Sequence, residues 1–334
     1  MNLLLCILMF TNYISIGSFF VNKCVFHTHS LQMNQDDPFQ LSKTWDSTSK
    51  KLKRRARDWF IERAEKRGIR WNSYLEPFKT VKAGTELLLL KDLLENKTVY
   101  YPKYFLKPFH GYEKGNMNWE AAKEGEGATI SMSVNYWKNV SPEESELWLR
   151  TNYTNTIKNY ILDKPDYILD VGSSFGIGTE FLKLAFNESN VQGLDLSPYF
   201  VAISSFRSSL RQNKISFIHA NAEEIPLPEN SLDLVTVQYL FHEVPMIPTQ
   251  TILNEIYRVL KPNGTIAVID LDPNRLKKGL NTNIFRKWAF EVTEPHIYEY
   301  YNSNMTSMMN NTGFFNIQEK VNDPMNNIWL GTKI

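Results

Sequence analysis

Cysteine is nearly absent from this chain of 334 residues, which contains only Cys6 and Cys24. A chain that starts at Val25 therefore has no disulfide and no thiolate metal ligand. This argues against a disulfide-stabilised extracellular scaffold. An excess of one charge sign is also missing, because the formal net charge is +1, so nothing indicates a polyanion as the main partner.

Several kinds of catalytic pattern are missing from the sequence as well. No carboxylate dyad, Ser-His-Asp order or metal-ligand cluster stands out, so hydrolase and metalloenzyme interpretations have no support and no metal is predicted. What the chain does have is a hydrophobic fraction of 43%. This is enough material for one large domain with an extension.

The first residues resemble a targeting leader. An apolar run over residues 3–10 is interrupted at Asn12 and resumes over residues 14–21. The interruption favours a cleaved leader over a lasting membrane helix. No acid follows before Asp36, and a signal with an acid-poor stretch looks like the bipartite leader of proteins sent to a secondary plastid. We predict a leader over residues 1–42 and an apicoplast-like location, with another endomembrane compartment or secretion as alternatives.

A basic segment follows the leader. Six of the eight residues from 50 to 57 are Lys or Arg, and Leu52, Ala56 and Phe60 fall on one side at helical spacing. The pattern predicts an amphipathic helix. It is either a solvated surface helix or a contact, through residues 50–70, with an anionic membrane surface or RNA.

A pattern of alternating strands and helices begins at Ser141. Ser141 and Glu144 form a capping box at the start of a helix, with Pro142 in its first turn. Short apolar runs then alternate with helical patterns, which is typical of βαβ units and a parallel sheet. We predict a catalytic domain over residues 141–334, preceded by an extension or cap over residues 43–140.

A glycine-rich turn separates the first predicted strand, residues 167–171, from a helix. Glycines at such a turn let the backbone approach a ligand, and helix N-terminal amides can meet its polar groups. The nicotinamide-cofactor fingerprint G-x-G-x-x-G fails here. If the pattern starts at Gly176, Phe181 occupies the position of its third glycine. If it starts at Gly172, Ser174 occupies the position of its second glycine.

The turn instead resembles the acidic-x-Gly-x-small-x-Gly loop of class I methyltransferases, which use S-adenosylmethionine. The resemblance implies an α/β, Rossmann-like fold with a seven-stranded sheet whose last strand is antiparallel, here with a mainly helical N-terminal extension. It also implies that Asp170 orients the methionine amino group, directly or through water. Ser174 stands where many members have glycine. The cofactor-binding candidates in this loop are Asp170, Gly172, Ser173, Ser174, Gly176 and Gly178.

Two later landmarks extend the resemblance. Asp195 and Leu196 follow the second strand, where a carboxylate can accept hydrogen bonds from both ribose hydroxyls. Asn221 stands where family members commonly have an aspartate that accepts from the adenine amino group, and an amide oxygen can also accept. The resemblance implies that the backbone amide of Ala222 addresses an adenine ring nitrogen.

The fourth strand ends at Gln238, and His242 and Glu243 follow shortly after. Ligands lie beyond the carboxyl ends of strands in such sheets, so Gln238 is predicted at the cofactor and the other two as catalytic candidates. His242 can serve as a general base if the acceptor arrives protonated, although a structural histidine is the alternative. The end of the chain, residues 313–317 and 328–334, resembles the antiparallel sixth and seventh strands of the fold.

Residues 104–122, 193–200 and 293–301 narrow the resemblance. They look like a group of plant, algal and cyanobacterial methyltransferases that are often plastid-directed and lack an assigned substrate. We expect the first segment to fold over the cofactor and shape the acceptor pocket, with a purely structural cap as the alternative. The acceptor-binding candidates are His110, Tyr112, Asn118, Trp119 and Tyr298.

The sequence therefore predicts transfer of a methyl group from S-adenosylmethionine to a small-molecule acceptor, such as an isoprenoid, a quinone or a similar apolar compound. A non-catalytic binding protein on a methyltransferase scaffold is one alternative. Methylation of a protein or a nucleic acid is the other.

Overall fold

The structure, a computed structural model, describes residues 58, 61–108, 112–134, 136–137, 139–282 and 294–334. The predicted leader, residues 50–57, 59 and 60 of the basic segment, and His110 lie outside the described residues. Of the rest of that segment, residues 61–65 are helical and the chain turns at residues 66–68.

A seven-stranded sheet organises the C-terminal part, with the strand order β3-β2-β1-β4-β5-β7-β6. Neighbours among β1 to β5 are parallel, and β7 is antiparallel to both β5 and β6. The predicted α/β fold with a reversed last strand is thus confirmed. The strands are β1 (Tyr167–Val171), β2 (Asn190–Asp195), β3 (Ser216–His219), β4 (Leu232–Gln238), β5 (Leu260–Leu271), β6 (Phe315–Val321) and β7 (Asn326–Thr332).

One detail differs from the sequence analysis. Only β7 is reversed, because β6 is antiparallel to β7 and therefore points the same way as β5. The fifth strand begins at Leu260, which pairs with Leu232 before an irregularity in the ladder, and it includes residues 261–264.

Helices lie on both sides of the sheet, as the crossovers between parallel strands require. Besides the helical residues 61–65, those in the described part of the chain are α1 (Trp71–Leu75), α2 (Val81–Leu94), α3 (Trp119–Ser133), α4 (Pro142–Lys158), α5 (Ile177–Ala185), α6 (Pro198–Arg211), α7 (Met246–Val259), α8 (Pro273–Asn281), α9 (Ile297–Tyr301) and α10 (Met305–Thr312). Short 3-10 turns cover Glu76–Phe78 and Phe241–Glu243.

The capping box predicted for α4 is present. The Ser141 hydroxyl accepts from the Glu144 backbone N–H, and the Glu144 carboxylate accepts from the Ser141 N–H, each at 3.1 Å. Both interactions satisfy N–H groups that a helix start would otherwise leave unpaired, so the helix begins at Pro142.

Strand alternation divides the core into two layers. Leu169 and Val171 face one side of the sheet, with residues of α7 to α10, whereas Ile168 faces the other, with residues of α4 and α5. These side chains are at most 1% exposed. Burial on both faces explains why the strands read as continuous apolar runs.

The N-terminal extension is helical, as predicted, and packs on the sheet domain. Trp71 lies against Gly127 of α3, where an added Cβ would come within 3.2 Å of the indole. Arg207 of α6, in the sheet domain, forms ion pairs with Glu126 of α3, in the extension, and with Glu180 of α5. Within the part described, no helix is both long and apolar enough to span a bilayer.

Candidate active site

The loop between β1 and α5 has the backbone conformation that its composition suggested. Gly172 and Gly176 have φ of +69° and +88°, a region that glycine enters without steric cost. Ser174 enters the same region with φ of +51°. The loop therefore keeps its left-handed turn although a serine replaces a glycine, and Gly172, Ser173 and Ser174 line one cavity.

Asp170 lies at the end of β1 beneath this loop, 2% exposed. Its carboxylate accepts hydrogen bonds from Thr179 and Thr236 at 2.7 Å and from Gln238 Nε2 at 3.0 Å. Burial raises its pKa, while these donors act in the opposite direction. Three of about four acceptor positions of the carboxylate are thus filled by side chains of the protein, one of them by Gln238.

Arg150 was not identified from the sequence. It projects from α4, is 4% exposed, and donates from Nη1 to Gln238 Oε1 at 2.8 Å and from Nε to Glu146 Oε1 at 2.8 Å. Among the described residues that line the cavity, it is the only Arg or Lys. Only its i, i+4 spacing from Glu146 signalled an ion pair in the sequence, and nothing there linked it to Gln238.

Asp195 ends β2 on the opposite side of the loop. Its carboxylate accepts from the backbone N–H groups of Ser174 and Ser197, each at 2.8 Å. Burial raises its pKa to about 6, although the two N–H donors lower it. Asp195 also lines the cavity, and a carboxylate there suits a ligand with two adjacent hydroxyls.

Residues that follow β2 and β3 form another part of the cavity wall. Asn221, Ala222 and Leu196 line the same cavity. The Asn221 amide oxygen accepts from the Glu223 N–H at 2.9 Å and keeps a second lone pair for a ligand. The arrangement is compatible with a purine whose amino group donates to Asn221.

His242 and Glu243 lie at the far end of the cavity. His242 Nδ1 is 2.7 Å from Asp270 Oδ1, and its Nε2 is 3.9 Å from Glu243 Oε1. Burial by itself lowers the pKa of His242, but the charge and hydrogen bond of Asp270 raise it to about 9. Burial raises the pKa of Glu243 to about 8. Asp270, which the sequence did not point to, is therefore part of the site.

Residues of the extension complete the cavity, whose volume is about 330 Å³. Tyr104, Tyr112 and Asn116 belong to its wall, as do several residues of α3. Tyr104 donates to Glu223 at 2.8 Å, and Tyr112 donates to Glu124 at 2.8 Å. These residues of the segment thus line the same cavity as the loop after β1.

Four of the predicted residues lie elsewhere. Asn118 caps α3, where its side chain binds Ala121 N and Gly115 O. Trp119 packs edge-on against Tyr199 at 5.1 Å, and Tyr298 is 60% exposed. Gly176 is also outside the cavity wall, because it caps α5 against Ser204.

The other predicted residues with described positions line this one cavity. They are Tyr112, Asp170, Gly172, Ser173, Ser174, Gly178, Asp195, Leu196, Asn221, Ala222, Gln238, His242 and Glu243.

A buried polar atom suggests that the cavity is built for a ligand. The Ser173 hydroxyl is buried and has no hydrogen-bond partner among the described residues. Such an atom costs free energy unless something binds to it. Across the described ranges, no group of three or more His, Cys, Asp or Glu side chains is arranged to hold a metal ion.

Comparison with known proteins fits this geometry. Residues 169–268 match the family of the methyltransferase domain. The match contains the β1 loop, Asp195, Asn221 and the His242 turn. Together with the sheet order, it shows that this part of the chain has the α/β fold of class I methyltransferases.

Relatives with assigned activities are similar over part of their length. A demethylmenaquinone methyltransferase of Oceanobacillus iheyensis is 33% identical over 118 residues, which is 35% of this chain and 49% of that protein. One from Listeria welshimeri is 38% identical over 86 residues, which is 25% of this chain and 35% of that protein. The chain thus spans half the length, or less, of the relatives that it matches.

Among solved structures, the chain is similar to an S-adenosylmethionine-dependent methyltransferase from Aquifex aeolicus. That protein is 18% identical, the match covers 57% of this chain and 93% of the other, and the TM-score is 0.43. A phosphoethanolamine N-methyltransferase 2 from Haemonchus contortus, in complex with S-adenosyl-L-methionine, is 15% identical, with 72% and 61% covered and a TM-score of 0.46.

Proposed function

We propose that the protein transfers the methyl group of S-adenosylmethionine to a small, largely apolar acceptor. One observation carries the proposal. The cofactor loop and the His242–Glu243 pair line a single cavity that the extension helps to enclose. A donor and an acceptor held in one enclosed space meet in a fixed orientation, which is the main requirement of methyl transfer.

The chain offers a partner for each part of the cofactor. Asp195 suits the ribose hydroxyls, and Asn221 with the Ala222 N–H suits the adenine edge. Arg150 suits the methionine carboxylate, and Asp170 with Gln238 suits the ammonium group. When bound, S-adenosylmethionine supplies a methyl group that its sulfonium charge has already activated.

The wall near His242 suits an apolar acceptor. Leu240, Val244, Ile252, Leu271 and Leu276 contribute there, together with the ring of Tyr104. The relatives support a small molecule as well, because they are named for methylating demethylmenaquinone. A protein or nucleic-acid substrate would instead favour an open, basic cleft, whereas Arg150 is the only Arg or Lys in the described wall.

Location and surface partners are further proposals. The plastid leader over residues 1–42 and contact of residues 50–70 with anionic membrane or RNA rest on the sequence patterns alone.

Calorimetry with S-adenosylmethionine and S-adenosylhomocysteine tests the function. We expect the full chain to bind both ligands and Asp195→Ala to bind them about 10- to 100-fold more weakly, as lost hydrogen bonds to a charged group imply. Asp163→Ala, at an exposed carboxylate, is the matched control. A folded chain that binds neither ligand would instead be a non-catalytic protein on this scaffold.

A further inference from the structure

Asp270 fixes the orientation of the His242 ring. Its Oδ1 lies 2.7 Å from Nδ1, and its Oδ2 accepts the His242 backbone N–H at 3.2 Å. The Leu271 N–H also donates to Oδ1 at 2.7 Å, and Asp270 is fully buried. With Nδ1 held by the carboxylate, Nε2 is the nitrogen left to meet a ligand in the cavity.

Other titratable groups surround the imidazole. Glu243 lies on the same turn, and the buried Glu294, which precedes α9, adds negative potential. From α9, the edge of the Tyr300 ring approaches His242, with centroids 6.2 Å apart. The potential around His242 is thus set mainly by carboxyl groups, of which Asp270 is in direct contact.

We propose that Asp270 positions His242 to take the proton of an ionisable hydroxyl on the acceptor, so that the acceptors are phenols or enols. The proposal deepens the methyltransferase function and rests on it. Asp270 acts as a positioning residue, whereas His242 touches the acceptor.

The chemistry balances with the groups present. His242 acts in its neutral form, which becomes the major form only as the pH approaches 9. The acceptor O–H bond breaks and its proton moves to Nε2. The electron pair that is released, on oxygen or delocalised to a ring carbon, forms a bond to the methyl carbon. The carbon–sulfur bond of the donor breaks in the same displacement, which leaves S-adenosylhomocysteine, and His242 then loses the proton to water. Transfer to a ring carbon also releases that carbon's proton to solvent.

Charge favours a hydroxyl over an amine. A deprotonated hydroxyl is an anion that can lie between the donor sulfonium and the His242 imidazolium, and these two cations offset the negative potential of the carboxyl groups around His242. An aromatic amine is neutral at neutral pH and gains no such attraction. Burial raises the pKa of Glu243, and in its protonated form the carboxyl group can donate a hydrogen bond to the same oxygen.

Matched probes test the proposal without knowledge of the natural acceptor. The ionised form of 2-naphthol absorbs at longer wavelength than the neutral form, so absorbance reports its state when it is bound. 2-Naphthylamine has the same ring system with an amine. Both are titrated into the full chain saturated with S-adenosylhomocysteine, in the wild type, Asp270→Asn, Asp270→Glu and the surface control Asp163→Asn.

We expect 2-naphthol to bind in the wild type, and 2-naphthylamine at least about tenfold more weakly. In Asp270→Asn the pH at which bound naphthol is half ionised rises by about one unit or more, and Asp270→Glu restores part of the difference. Absent naphthol binding, equal binding of the amine, or the same ionisation in Asp270→Asn would each overturn the proposal.

Nuclear magnetic resonance of the His242 imidazole separates this proposal from the function. Asp270→Asn should lower the His242 titration midpoint by about one unit or more. An unchanged midpoint contradicts the pairing even when the cofactor binds. A shifted midpoint in a chain that does not bind S-adenosylhomocysteine leaves Asp270 as the partner of His242 and removes the methyltransferase function, and with it the acceptor class.

Discussion

Arg150 and Gln238, 88 residues apart in the chain, are joined by a 2.8 Å hydrogen bond beneath the cofactor loop. Gln238 Nε2 in turn donates a hydrogen bond to Asp170 Oδ1 at 3.0 Å. A guanidinium and a carboxylate are thus connected through one amide. This matches a ligand whose amino-acid end carries both charges.

Replacement of Arg150 by Met should lower the binding affinity only for ligands that carry the amino-acid tail. S-adenosylhomocysteine has a carboxylate, whereas 5′-methylthioadenosine lacks the amino-acid tail. We expect the affinity for the first to fall about 10- to 100-fold, as for a lost charged hydrogen bond, and the second to bind as before. The variant should also carry Glu146→Gln, so that no buried carboxylate is left without its partner. Equal losses for both ligands, measured by calorimetry, would show that Arg150 serves only the fold.

The affinity for S-adenosylhomocysteine should depend on the ionisation of Asp195. Burial raises its pKa to about 6, and ribose hydroxyls donate best to the carboxylate form. Below pH 6 we therefore expect affinity to fall by up to about tenfold per pH unit, measured by calorimetry between pH 5 and about 8. In Asp195→Asn this pH dependence should be missing; if the variant keeps the slope, another group is responsible.

Folding stability should respond to Asp195 in the opposite direction. Its folded-state pKa lies above the ordinary value of 3.8, so the folded form binds the proton more tightly. The contribution of this group to stability is fully present below pH 3.8 and is lost as the pH rises through 6. Denaturant titrations of the ligand-free wild type and Asp195→Asn should therefore differ more at pH 7 than at about pH 5, with Asn the more stable relative to wild type at the higher pH.

Gly178→Ala should disturb the site without disturbing the helix. A Cβ at this position would come within 2.5 Å of Gln238 Nε2, so the amide must move away from Asp170. We expect at least about a tenfold loss of S-adenosylhomocysteine affinity, from one lost hydrogen bond to a charge. Gly279→Ala in α8, where nothing lies within 4 Å, is the matched control and should leave binding unchanged. If both variants bind like wild type, the Gln238 position is unimportant.

Tyr104→Phe should loosen the segment before α3. The lost hydrogen bond to Glu223 contributes about 1 kcal/mol, so amides of residues 98–107 should exchange faster while the melting temperature changes little. Tyr100→Phe, at a ring that is 71% exposed, is the comparison. Unchanged exchange in Tyr104→Phe would mean that apolar packing alone holds the segment.

The sheet and the cofactor loop could be predicted because their signals are local. Asp195 follows an apolar strand directly, and the glycine turn lies between a strand and a helix, so chain order places both at the same sheet edge. The apolar runs of β1 and β4 can be recognised without knowledge of distant contacts.

The two buried pairs could not be predicted in this way. Arg150 meets Gln238 across 88 residues, and His242 meets Asp270 across 28. Such partners become visible only when helices are placed on strands. The aromatic residues misled for a related reason: Trp119 and Tyr298 lie in polar, aromatic segments, but which side of a short helix faces the cavity is set by tertiary packing.

The methyltransferase family match begins at residue 169, after Tyr104, Tyr112 and Arg150. A fragment trimmed to the matched boundaries would keep the strands and the glycine loop. It would lose the cavity's guanidinium and much of its wall, so a bound methyl donor would face bulk water on that side. Transplanting the domain into another protein would therefore carry over the architecture but not selectivity for an acceptor, which resides partly in the sequence upstream.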